Sequence, residues 1–245
     1  MTEVLCVGTS DAFGAGGRRQ SAYLVRAAGS SLLLDCGATT ATGLASLGVD
    51  RNEVDAIAVS HYHGDHFGGI PALLLAAVYN DDRRRPLAVA GPVGVEERVR
   101  AAAAALGHGL DGREIGFELR FHELRAEAPL RLGGFELEAF PTYHAPESCP
   151  HGLLCRADGR TIAFSGDTGW FDELPERVAG ADLFLCECTL DRKGYPYHLS
   201  LEELAPRRHA FRCGRTLLTH LGPEVRARRD HFGYEVADDG LLVKL

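Results

Sequence analysis

Four metal-capable side chains, His61, His63, Asp65 and His66, fall within the six residues His61-Tyr62-His63-Gly64-Asp65-His66. Borderline cations such as Zn²⁺ take imidazole nitrogen and carboxylate oxygen readily, so H-x-H-x-D-H points to a metal site. An apolar run over 54–59 leads into the motif and an apolar segment over 70–78 leads out of it. That pattern reads as a buried strand, a tight loop and a helix. His61 and His63, two apart, can aim at one ion, while Asp65 and His66 can aim at a neighbour just beyond it. The bland alternative, a polar loop whose histidines cap the helix, suits a single histidine and not this density of donors.

The elements that must position such a motif alternate along the chain. Strands are expected over 4–7, 22–25, 31–35, 55–60, 87–90 and 115–119, with helices over 39–47, 70–79 and 95–106. A second series of strands follows over 135–140, 152–155, 161–164, 182–186 and 216–218, with a short helix over 201–205. Several of these strands end in polar residues: Asp35-Cys36-Gly37, Thr142-Tyr143-His144, Ser165-Gly166-Asp167-Thr168, Glu187-Cys188-Thr189 and Thr219-His220. Strand ends are the usual place for a site in a layered α/β architecture. Asp35, closing an apolar strand, suits a group that orients a ligand histidine from behind. The glycine-rich stretch 8–17 lacks the spacing and lysine of a phosphate-binding loop; it is either a hairpin connection or a rim that touches substrate. One domain over 1–245 is expected, in halves of about 1–121 and 132–245 with the seam over 122–131.

Composition bounds the partners. Hydrophobic residues make up 45% and charged residues 24% of 245, ordinary for a soluble globular protein. The net charge of −8 argues against extended nucleic-acid binding. Basic clusters over 83–85, 207–208 and 226–229 read as solvated faces rather than phosphate grips. No apolar run reaches membrane-spanning length, and the first residues lead directly into a strand rather than a signal peptide, which makes the cytoplasm the expected location. Seven cysteines form no C-x-x-C pair and read as reduced, buried small hydrophobes. Cys186 and Cys188 flank Glu187 in a strand, which puts both sulfurs on one face and the carboxylate on the other.

The motif at 61–66, His144 after a strand, S-G-D-T at 165–168 and T-H-L at 219–221 together resemble the metallo-β-lactamase fold hydrolases, in order and over essentially the whole chain. The resemblance implies an α/β fold of αββα type, two packed mixed β-sheets flanked by helices, with the site along one edge. It implies that His61, His63 and His144 bind one metal, that Asp65, His66 and His220 bind a second, and that Asp167 bridges them. The cofactors are then two divalent ions, Zn²⁺ first, with Mn²⁺ or Fe²⁺ also compatible with the ligands. Glu187 in L-C-E-C-T-L is similar to the E-A-T of ribonuclease Z and related phosphodiesterases. His198 in Tyr197-His198-Leu199-Ser200 resembles their H-x-S motif, with the separation from the last ligand (198 to 220) typical of that branch. Gly8-Thr9 and Asp35-Cys36-Gly37 also resemble that branch. Ribonuclease Z enzymes that grip tRNA generally carry a protruding arm between the third and fourth ligand motifs. Here the interval from 144 to 167 leaves room for two strands and a turn only.

The expectation is therefore a dinuclear metal-dependent hydrolase, a phosphodiesterase resembling ribonuclease Z, acting on a small or cyclic phosphodiester or a short RNA through a metal-bridging hydroxide. Two ions about 3.5–4 Å apart share a water and clamp a substrate oxygen, and zinc-bound water loses its proton near neutral pH. Asp65, Glu187 and His198 are the candidate catalytic residues, with His198, held cationic by Glu187, as general acid to the leaving alkoxide. The same site could instead serve lactone, thioester or sulfate ester hydrolysis; Glu187 and His198 favour the diester. A non-catalytic scaffold is disfavoured because all seven ligand positions are filled. A redox diiron centre is disfavoured by His63, where such members carry glutamate. A homodimer is suggested by the resemblance alone.

Overall fold

Leu32, Leu33 and Leu34 are all fully buried. Successive residues of a strand face opposite ways, so this strand must have protein on both faces. In the computed structural model, which describes residues 1–126, 128–228 and 230–245, it is the central strand of a sheet of seven. The sheet comprises β1 (Glu3–Gly8), β2 (Ala22–Ala27), β3 (Ser30–Leu34), β4 (Ala56–Ala58), β5 (Leu87–Gly91) and β6 (Leu119–Glu123) in that order. The β1–β3 strands are antiparallel and β3–β6 are parallel. A second sheet takes β7 (Leu130–Leu132), β8 (Phe135–Pro141), β9 (His151–Ala157) and β10 (Arg160–Phe164), all antiparallel, then β11 (Leu183–Glu187), β12 (Arg215–Thr219) and β13 (Glu235–Val236), parallel to β10. The last strand, β14 (Leu242–Lys244), returns to the first sheet and pairs antiparallel with β1.

Packing follows the alternation. Tyr23, Val25, Leu32 and Leu34 meet Phe135, Leu137, Leu153, Phe164 and Leu185 between the sheets. Leu33, Ile57 and Val89 point the other way, against α1 (Thr40–Ser46), α3 (Ile70–Tyr79) and α4 (Val95–Ala105), through Leu44, Leu74 and Val99. On the far side Phe184, Cys186 and Leu218 pack under α5 (Leu174–Arg177), α6 (Leu201–Leu204) and α7 (Pro223–Ala227). The layers are helix, sheet, sheet, helix, the expected αββα sandwich. The intervening α2 (Gly64–Phe67) is a single turn inside the histidine motif. The chain must approach itself closely there: a Cβ on Gly69 would lie 2.1 Å from the Gly37 carbonyl oxygen, and the Gly69 amide donates to Cys36 across the same gap.

Two local expectations change. The strand anticipated over 115–119 begins where that span ends, because Gly116 adopts a left-handed backbone (φ +78°) and the apolar alternation toward α4 runs through Leu119 and Phe121. Arg83 is not on a solvated face; it is 4% exposed and its guanidinium donates to the carbonyls of Val54, Arg85 and Pro86. The expected seam over 122–131 contains Glu127, and the basic cluster over 226–229 contains Arg229; both residues lie outside those described. Five cysteines are buried, two are half-buried and all are free thiols. Among the described residues no helix is long and apolar enough to cross a membrane.

Candidate metal centre

The loops that follow β4, β8, β10, β11 and β12 converge at one edge of the sandwich. They bring together His61, His63, His144 and Asp167 as one set of potential metal donors, and Asp65, His66, Asp167 and His220 as another. His63 Nδ1 lies 3.2 Å from His61 Nε2 and 3.0 Å from His144 Nε2. In the second set His66 Nε2 and His220 Nε2 are 3.3 Å apart, and each is within 3.2 Å of Asp65 Oδ2. Asp167 belongs to both. Its Oδ2 faces His61 and His144 at 3.7 and 3.9 Å, and its Oδ1 faces His66 and His220 at 3.3 and 3.5 Å.

The outer nitrogens of these rings are fixed by the surrounding chain, which decides what the inner ones can do. Asp35 accepts from the Ser60 amide (2.7 Å), from Ser60 Oγ (2.9 Å) and from His66 Nδ1 (2.6 Å). Ser60 Oγ, having spent its hydrogen on Asp35, accepts from His61 Nδ1 at 3.0 Å. His144 Nδ1 donates to the Tyr197 carbonyl at 2.8 Å. Thr189 gives its hydroxyl hydrogen to Glu187 and accepts from His220 Nδ1 at 2.8 Å. With Nδ1–H donated outward, His61, His66, His144 and His220 each turn an Nε2 lone pair inward. Lone pairs 3.0–3.3 Å apart, facing carboxylate oxygens, need something positive between them. Asp167 Oδ1 is buried and has no hydrogen-bond partner among the described residues. A donor set of imidazoles and carboxylates that converges with no hydrogens of its own fits divalent cations.

In the bare protein, protons take the place that cations would fill, because the two carboxylates favour charge on two of the rings. Burial pushes His61 and His144 below the ordinary imidazole range. Burial also opposes charge on His66 and His220, but the carboxylates of Asp167 and Asp65 override it and raise both. Desolvation works to raise Asp167, yet His220, His66 and His61 hold it well below the usual carboxylate range. Asp65 is likewise held low against its burial, by His66 and His220. His220 also adopts a left-handed backbone (φ +53°), a conformation that non-glycine residues keep only where the surroundings impose it.

Glu187 and His198 stand beside the second set. Glu187 is fully buried and its carboxylate accepts from the Thr168 amide, the Thr189 amide and hydroxyl, and His198 Nδ1 at 2.8 Å. Burial alone would lower His198, but Glu187 and then Asp167 raise it to about 9. The His198 ring stacks on His220 at 5.6 Å and 11°. The glycine-rich loop reaches the same edge, tied through the Ser10–Leu221 bridge. Between His144 and Asp167 the chain contains only a short turn and the β9–β10 hairpin. The residue pattern points to neither the Tyr197 carbonyl nor the Ser60 and Thr189 hydroxyls as groups that orient the rings. Tyr197 acts through its carbonyl, which leaves no side-chain signature. The Thr189 hydroxyl is nonetheless legible in principle, since residues 187 and 189 of an extended segment share a face.

A family model described as "Anti-Pycsar protein Apyc1" matches residues 2–235. The chain belongs to this family. It is also similar to a ribonuclease Z of Lachnospira eligens, 36% identical over 146 residues, which cover 59% of this chain and 46% of that enzyme, so the chain spans about half the length of that relative. A Mycobacterium bovis ribonuclease Z is 27% identical over 252 residues, covering 92% of this chain and 88% of the enzyme. Among solved structures, the metallo-β-lactamase fold protein YhfI from Bacillus subtilis superposes with a TM-score of 0.80 at 23% identity, covering 100% of both chains. Human short-form tRNase Z superposes with a TM-score of 0.78 at 25% identity, covering 99% of this chain and 98% of that one. The fold is the metallo-β-lactamase fold, and the chain is a ribonuclease Z-like member of that superfamily.

Proposed function

We propose that the chain is a metal-dependent hydrolase of phosphodiesters, acting on a small or cyclic diester or a short RNA. The observation that carries this reading is the division of Asp167: one oxygen faces His61 and His144, the other faces His66 and His220. On this reading His61, His63 and His144 would hold one cation, Asp65, His66 and His220 would hold a second, and Asp167 would be shared between them. When bound, two such cations supply an activated water and neutralise charge on the phosphoryl oxygens. The ribonuclease Z relatives support the diester as substrate, and the acidic net charge of −8 supports a small one over a long nucleic acid.

The chain's own residues do the rest. His198, with Nδ1 on Glu187, keeps Nε2 for the substrate and delivers its proton to the departing alkoxide oxygen. Glu187, anchored by two backbone amides and a hydroxyl, sets the ring's tautomer and favours its cationic form. Asp35 and Ser60 hold the His61 and His66 rings in register, so the donors wait in position rather than being gathered by substrate.

A panel of bis-aryl phosphate, cyclic nucleotides, a tRNA precursor, lactones and thioesters, offered to metal-analysed protein, tests the reading. Turnover of diesters that is lost on chelation and restored by a divalent cation is expected. Turnover of lactones or thioesters with no activity on any diester would overturn it.

A further inference from the structure

A cavity of about 260 Å³ opens beside His198, with Tyr143, Trp170 and Tyr195 in its walls. Tyr143 and Tyr195 are 52% and 53% exposed, and each sits on a segment that delivers a site residue. Tyr143 immediately precedes His144, and Tyr195 lies three residues before His198. Both rings lean on Tyr197, with centroids 5.6 Å away in each case, and Tyr197 is held in turn by its carbonyl contact with His144. The Tyr195 ring is also inclined only 30° to the His198 ring at 5.8 Å, and His198 continues the stack onto His220. Aromatic faces therefore run unbroken from an open slot to the second donor set.

A single exposed tyrosine needs no explanation. Two that flank one cavity, braced by a third ring and sharing His198 with the reaction site, make a platform for a flat ligand, since every nucleobase or aryl group presents a π-face. We propose that Tyr143 and Tyr195 form the subsite that holds the aromatic ring of the substrate on its leaving-group side, and so set the preference for diesters that carry such a ring. The side follows from His198, which lines the cavity and serves the departing oxygen. This inference rests on the function proposed above.

Adenosine 5′-monophosphate carries a base where ribose 5-phosphate carries an anomeric hydroxyl, so the ratio of their dissociation constants on metal-loaded protein, measured by calorimetry, reports chiefly on the ring. The wild-type protein is expected to favour the nucleotide by on the order of tenfold or more. Tyr195→Ala and Tyr143→Ala should each cut that preference about fivefold or more, while Tyr195→Phe, which keeps the ring, should retain it. Tyr79→Ala, at an exposed tyrosine remote in sequence on α3, should retain it too. Trp170 is the one tryptophan of the chain, so its emission should respond to the nucleotide and not to the sugar phosphate. Equal binding of the two probes by the wild-type protein, or an undiminished preference in both alanine variants, overturns the subsite. If the alanine variants lose the preference but the wild type turns over no diester, the subsite stands and the proposed function fails. If diesters are turned over without discrimination for the ring, the subsite alone fails.

Discussion

His198 Nδ1 lies 2.8 Å from Oε1 of Glu187, a carboxylate with no exposed surface. A buried anion that accepts from two backbone amides, a hydroxyl and an imidazolium is fixed in place, and the ring it holds is fixed with it. Neither side chain belongs to the donor sets around Asp167. His198→Ala is therefore expected to lower kcat on a diester with a poor leaving group by about 10²- to 10⁴-fold, with less effect on a nitrophenyl ester, whose leaving group needs no proton. Metal content by mass spectrometry should match the wild type. Undiminished turnover of the poor-leaving-group diester in this variant would remove His198 from the mechanism.

The same pair predicts a pH dependence. Glu187 and Asp167 raise His198 to about 9 in the bare protein, and bound cations nearby pull it below that value. A general acid works in its protonated form, so activity should be sustained through neutral pH and fall as the pH rises through the His198 pKa, at or below about 9. Glu187→Gln removes the largest influence that raises it, so the alkaline limb of kcat should move toward lower pH. A pH–rate profile with the same alkaline limb in both proteins excludes the assignment.

Asp167 tests the pairing of the two donor sets. Its carboxylate is the one group shared by both, with Oδ1 and Oδ2 turned to different histidines. Asp167→Ala should reduce the occupancy of both metals together, where His63→Ala should reduce chiefly one. The rise in melting temperature that cation binding gives the wild type should shrink accordingly. Two equivalents of tightly held metal in the Asp167 variant would show that the residue does not bridge.

Much of this was readable from residue types, and the reason is local. H-x-H-x-D-H compresses four donors into six residues, and the apolar runs on either side fix that stretch between a strand and a helix. His144, Asp167 and His220 each close a buried strand, where side chains of those types are otherwise hard to explain. What the spacing alone could not supply is long-range hydrogen bonding. The contact of His144 with the Tyr197 carbonyl spans 53 positions and uses a backbone atom. Arg83 likewise lies in a basic run that reads as solvated, whereas burial of its guanidinium depends on three carbonyls gathered by the fold. The start of β6 is set by Gly116, whose left-handed backbone no periodicity records.

Asp35 holds the second donor set from behind. It accepts from the Ser60 amide, Ser60 Oγ and His66 Nδ1, and it is fully buried. Asp35→Ala strands three donors without water, each at a cost of about 1–3 kcal/mol, and frees the His66 ring to turn. The variant should melt at lower temperature and bind its weaker metal about 10- to 100-fold less tightly, by competition with a chromophoric chelator. Wild-type affinity would reduce Asp35 to a packing role.

Gly169 sets how closely the segment that carries Tyr195, Tyr197 and His198 can approach the S-G-D-T loop. A Cβ at this position would fall 1.8 Å from the Pro196 carbonyl oxygen and 3.1 Å from Tyr143 Cδ1. The first of these is backbone and cannot swing aside, and the Gly169 amide is itself committed to the Tyr143 carbonyl at 2.7 Å. Gly169→Ala therefore has to displace the 194–198 segment, and with it both the carbonyl that orients His144 and the imidazole that serves the leaving group. Overpacking of this kind costs about 1–3 kcal/mol, and a displacement of about 1 Å at a reacting group costs about 10²-fold in rate. The variant should lose kcat on poor-leaving-group diesters more than it loses stability, and its metal affinity should fall through His144. A variant with wild-type melting temperature, kcat and metal binding would mean that this close approach has no part in placing His198.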